Sequence, residues 1–89
     1  MILHLGDDCF VTLKHIIMIL DYKEAVRNPA TSLFLQRYEN TLSCGDGEPK
    51  SAVITDEGGG TVYLSHISSR TLLKRFHTEQ HFASCGTNI

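Results

Sequence analysis

Basic charge is in short supply in this chain: eight Lys and Arg stand against ten Asp and Glu, for a formal charge of −2. A uniformly basic surface for nucleic acid or anionic lipid is excluded, so any such contact must come from a local patch. Long apolar runs are missing too. The longest, IIMIL at 16–20, is far too short to span a bilayer, and the opening MILHLGDD has neither the basic end nor the apolar length of a signal peptide. The expectation is a cytoplasmic protein with no membrane partner. Three cysteines, Cys9, Cys44 and Cys85, form no CxxC pair and are odd in number, which argues against a zinc ribbon and against a disulfide framework. Reduced thiols are expected, with Cys9 buried in a strand.

The motifs of catalysis and of metal binding are also lacking. His4 and His66 fall in strand patterns and His15 at a strand mouth, with no serine or cysteine beside them in a nucleophile turn. No catalytic residue and no enzymatic activity are expected. The GGG run at 58–60 opens the strand TVYLSHI and lacks the Gly-Lys-Ser/Thr ending of a phosphate loop, so it reads as a hairpin turn. Asp7 and Asp8 lack the alternating oxygen ligands of a calcium loop. His77 and His81, in HTEQH, stand one helical turn apart, yet a zinc site needs a third ligand. No metal site and no cofactor are expected.

What the chain does have is an α+β pattern. Its 89 residues, 42% of them hydrophobic, suffice for one domain, placed at 1–77, with a loose C-terminal tail at 78–89 that has almost no apolar periodicity. Two short β-like runs, 2–5 and 9–13, flank the turn signal GDD and read as a hairpin. The third run, Ile16, Ile17, Met18, Ile19 and Leu20, is apolar throughout, which predicts cover on both faces. A monomer of this size buries only roughly 60 to 65% of the surface its unfolded chain exposes. These five residues are therefore the candidate interface of a homo-oligomer.

Asn28 followed by Pro29 predicts a helix over 29–39, with Ala30, Leu33, Phe34 and Tyr38 inward. A brief strand-like TLSC and the loop GDGEP lead to two strands, 50–56 and 61–67, joined by EGGG. Ser68 or Ser69 then caps a second helix, SRTLLKRFH, with Leu72, Leu73 and Phe76 inward. The order βββ-α-β-ββ-α describes a small, mainly antiparallel β-rich domain with two helices. Of the basic residues, Lys50 stands where loop GDGEP becomes strand SAVIT, Lys14 stands with His15 before the third strand, and Arg70, Lys74 and Arg75 cluster on the last helix. Such a cluster reads first as a solvated face, but repetition around a symmetric oligomer multiplies weak contacts.

The strings LHLGDD, GEPKSAVIT and SHISSRTLLKR, in this order and with FL at 34–35 between them, resemble the RemA/RemB family of extracellular matrix regulators, the RemB branch more than the RemA branch. The resemblance covers about residues 1–76. It implies a small bacterial cytoplasmic protein that assembles into rings, and the RemA branch binds DNA upstream of biofilm-matrix genes and activates them. A DNA-associated transcription regulator acting as a homo-oligomeric ring is thus expected, with double-stranded DNA as partner. Lys50, Lys14 and His15 would face the phosphate backbone, with Arg70, Lys74 and Arg75 as weaker candidates. Gly47 and Glu48 stand where the RemA branch carries a pair of arginines. Glutamate repels phosphate and lysine lacks the planar fork of arginine. The alternative is a ring-shaped protein-interaction scaffold of the same fold that has lost DNA binding.

Overall fold

The computed structural model describes the backbone of residues 1–87 and the side chains of residues 1–78. Its first element is the expected hairpin, β1 (Ile2–Gly6) against β2 (Cys9–Thr12). Gly6 and Asp7 turn the chain with positive φ, 123° and 41°, which glycine adopts freely and aspartate more easily than most residues. Leu3, Leu5 and Val11 point inward and are buried.

A single 3₁₀ turn, Leu13–His15, leads into β3 (Ile16–Asp21). Then comes a helix absent from the sequence expectation, α1 (Tyr22–Arg27), whose N-cap Asp21 accepts a hydrogen bond from the Glu24 amide. After α1 follow α2 (Pro29–Gln36), β4 (Asn40–Cys44), β5 (Ser51–Thr55), β6 (Thr61–Ser65) and α3 (Ser69–Thr87). Asn28 caps α2 as its sequence predicts, its side chain accepting from Ala30 and Thr31. The fold is α+β with three helices rather than two.

The main sheet has the order β3-β5-β6-β4. β5 pairs antiparallel with β3 and β6, while β4 lies parallel to β6. Central β5 is buried at all five positions. Val53 joins Leu3, Leu5, Val11 and Leu72 in a core under the hairpin and α3. Ala52 and Ile54 point the other way, into a second core closed by Tyr22, Leu35 and Tyr38. The molecule is thus layered, with the hairpin and α3 on one face of the sheet and α1 and α2 on the other. The buried hydroxyls of β5 are satisfied within the chain, Ser51 donating to the Ile67 carbonyl at 2.8 Å and Thr55 to the Thr61 carbonyl at 2.9 Å.

Several expectations are corrected here. On α2 the inward residue is Leu35, with Tyr38 packing on the same core from just beyond the helix end, whereas Ala30, Leu33 and Phe34 are exposed. Three consecutive apolar residues, 33–35, allow either face, and the sheet takes the one that closes its second core. On α3, Leu72 is buried but Leu73 is exposed. The helix continues through Thr87, where the sequence reading ends it at His77. The intervening residues include no proline, and Gly86 is the only glycine, so nothing breaks the ladder earlier. The remainder of the tail, 88–89, lies outside the described residues, as does the side chain of His81.

The cysteine reading also changes. Cys9 at the start of β2 and Cys44 at the end of β4 are joined by a disulfide, with Cα atoms 5.7 Å apart and a sequence separation of 35. Only the stacking of the hairpin on the sheet brings them together, which no local spacing reveals. Beside them, Gly45 has φ of 125°, and a Cβ placed there would collide with the His66 ring. That ring packs over both Gly6 and Gly45, and its Nδ1 lies 2.9 Å from the Cys44 carbonyl.

Candidate nucleic-acid interface

Lys50 is exposed, and its backbone is clamped on both sides: its amide donates to the Ser65 carbonyl at 2.7 Å, and its carbonyl accepts from the Tyr22 amide at 3.0 Å. The side chain therefore leaves from an ordered point at the first residue before β5. It makes no ion pair among the described residues. A lysine held this way is a point charge in water, suited to a phosphate oxygen but without bidentate geometry.

Lys14 and His15 occupy the other end of the sheet. Because β3 runs antiparallel to β5, Asp21 pairs with Ser51 near Lys50, while Ile16 pairs with Thr55. The five residues of β5, about 17 Å at the usual rise per residue, separate the two positions. His15 is also engaged, its Nδ1 lying 2.8 Å from Asp56 Oδ1, and the Asp56 amide donates to the His15 carbonyl at 3.0 Å. Lys14 is exposed and makes no ion pair among the described residues. One protomer thus does not gather Lys50, Lys14 and His15 into a single patch.

The cluster on α3 divides as well. Arg70 is exposed in the first turn, which leaves the Lys50 end of the sheet. Lys74 and Arg75 instead adjoin the hairpin, and Arg75 Nη1 reaches the His4 carbonyl at 3.4 Å. Around the Lys50 end the nearest sequence neighbours and strand partners supply carboxylates, namely Asp46 and Glu48 in the loop and Asp21 at the end of β3.

The expected interface strand behaves differently from a doubly covered one. β3 is an edge strand paired only with β5; Ile16 and Ile19 pack on the first core and Leu20 on the second. Ile17 and Met18 remain 56% and 41% exposed. At the opposite edge, Leu42 of β4 is 51% exposed, and Leu33 and Phe34 of nearby α2 are exposed too. The sequence reading missed this second apolar edge, although Leu42 in TLSC was the available signal. Two unpaired strand edges with apolar side chains are association sites by default.

Among the described residues, no helix is long and apolar enough to cross a membrane. The pKa of Tyr63 is raised, by burial first and then by the hydrogen bond it donates to Glu57 at 2.8 Å and by that carboxylate's charge.

Comparison with known proteins agrees with the motifs. The RemA-like family model, described as extracellular matrix regulatory protein A-like, matches residues 2–76. Extracellular matrix regulatory protein B of Bacillus subtilis (strain 168) is 38% identical over 76 residues, which cover 84% of this chain and 89% of that protein. The matched segment takes in the hairpin, the whole main sheet and the first turns of α3, and the chain belongs to the RemA/RemB family of extracellular matrix regulators.

Proposed function

We propose that this protein regulates matrix production as a homo-oligomeric ring that associates with double-stranded DNA, its Lys50 side chains repeated along one rim. The single observation that carries the reading is the pair of unlike apolar edges on one sheet, β3 with Ile17 and Met18 and β4 with Leu42. Unlike edges favour head-to-tail contact, and head-to-tail contact closes into a ring when the rotation allows it. Assembly then supplies what one protomer lacks. A free Lys50 on each subunit, joined by Arg70 from the same end of the sheet, sets several weak phosphate contacts side by side, and linked contacts raise affinity without a strong site on any subunit. Lys14 would belong to the opposite rim.

A second reading is favoured by specific contacts: His15 is spent on Asp56, and Asp21, Asp46 and Glu48 share the Lys50 end. The ring would then be a protein-interaction scaffold. Mobility of a double-stranded DNA fragment at low salt, with oligomer mass measured in parallel, separates the two. A retarded band at micromolar protein supports the first reading. An intact oligomer that retards nothing replaces it with the second.

A further inference from the structure

In a hairpin with one buried face, outward positions are normally polar. The β1–β2 hairpin breaks this rule. Opposite the buried Leu3, Leu5 and Val11, its outer face carries Ile2 and Phe10, 55% and 53% exposed. Phe10 lies against His4, its cross-strand partner, with ring centroids 4.8 Å apart, and His4 Nε2 is held 2.8 Å from the Asp7 carbonyl. The aromatic pair is therefore set in place before any partner arrives.

α3 walls one side of this face with Lys74, Arg75 and Thr78, making an open groove of about 450 Å³. The hydrogen bond from Arg75 to the His4 carbonyl draws its guanidinium toward the hairpin, and that group keeps further N–H donors for a ligand. Lys74 and Arg75 make no ion pair among the described residues. No carboxylate lines the groove among those residues, although the chain carries more acidic than basic groups. The face also shares no residue with the β3 and β4 edges that the ring would use.

We propose that this hairpin and α3 face docks an acidic peptide segment of another protein, one carrying an aromatic or aliphatic side chain beside its carboxylates. The apolar residue would cover Ile2 and Phe10 as a rigid anchor, and the carboxylates would meet Lys74 and Arg75 in charge-assisted hydrogen bonds. Duplex DNA fits less well, since its backbone satisfies the cations but leaves the apolar pair in water.

The test uses the full chain and a fluorescein-labelled peptide with a Phe-Leu pair flanked by glutamates. Control peptides replace the glutamates by lysine or the Phe-Leu pair by serine. Saturable binding of the acidic peptide is expected, weakened at least about tenfold by Phe10→Ser and by Arg75→Glu, with melting temperature and oligomer mass unchanged because both side chains are exposed. Lys74→Glu, another exposed site, serves as an independent variant should Phe10→Ser fail to fold. Equal binding of the controls, no binding up to about 1 mM peptide, or full displacement by duplex DNA would overturn the proposal. So would loss of oligomer mass in Phe10→Ser, which would make the face a contact between copies.

Discussion

Reduction of the Cys9–Cys44 bond should destabilise the fold without dissolving it. The bond closes a loop of 35 residues, and the chain-entropy relation gives about 4 kcal/mol for a loop of that length. For a chain of 89 residues, with an unfolding entropy of about 2.1 cal/mol/K per residue, this corresponds to a fall of roughly 20 °C in melting temperature. The hairpin is also held by Leu3, Leu5 and Val11 in the core and by the Ser65 hydroxyl donating to the Leu5 carbonyl, so the native fold persists at moderate temperature after reduction. The assay is a thermal melt with and without a thiol-free reductant at equal protein concentration, since assembly makes the midpoint concentration-dependent. Thiol titration under denaturing conditions should show two more thiols per chain after reduction, and Cys9→Ala with Cys44→Ala should melt as the reduced protein does. A shift of only a few degrees with complete reduction would refute the reasoning, as would an unreduced sample in which both thiols already react. Disulfides are opened in reducing compartments, so the same difference is the stability this fold would lose wherever its thiols are kept reduced.

The remaining predictions address the other elements. Ile17→Asp, at an exposed position, should reduce oligomer mass in light scattering while leaving circular dichroism intact; Ile19→Asp, packed on the first core, should unfold the chain by burying an unpaired charge. Gly45→Ala should cost about 1 to 3 kcal/mol in denaturant melts, from the positive φ and the collision with His66. Tyr63 has its pKa raised in the folded state by burial and by Glu57, so its contribution is fully present below its ordinary value of 10.0 and is lost as pH rises through the raised one. Tyr63→Phe should therefore flatten the alkaline loss of stability measured by melts at increasing pH.

Local signals read well from the sequence, and non-local ones did not. GDD, Asn28-Pro29 and EGGG act within a few residues through φ preference and capping, and each stands in the structure where it was expected. α1 had such a signal too, since Asp21 followed three residues later by Glu24 is a helix-start pattern, but the sequence reading assigned no element to residues 21–27. The parallel pairing of β4 with β6, the edge position of β3 and the Cys9–Cys44 bond depend on which elements stack, and no short window contains that. The site followed the same rule. The position of Lys50 just before β5 was legible because a loop-to-strand transition marks it. Its separation from Lys14 and His15 was not, because the antiparallel β3–β5 register decides it.

Salt-dependent DNA binding of Lys50→Ala tests the central claim most directly. If Lys50 repeats along the rim of a ring, the variant should lose affinity almost equally for all duplex sequences. Its plot of log affinity against log salt should flatten by about 0.9 for each phosphate contact removed, with oligomer mass unchanged. Glu48→Arg should steepen the same plot. Identical affinity and slope for Lys50→Ala and the parent, both as intact oligomers, would contradict the account.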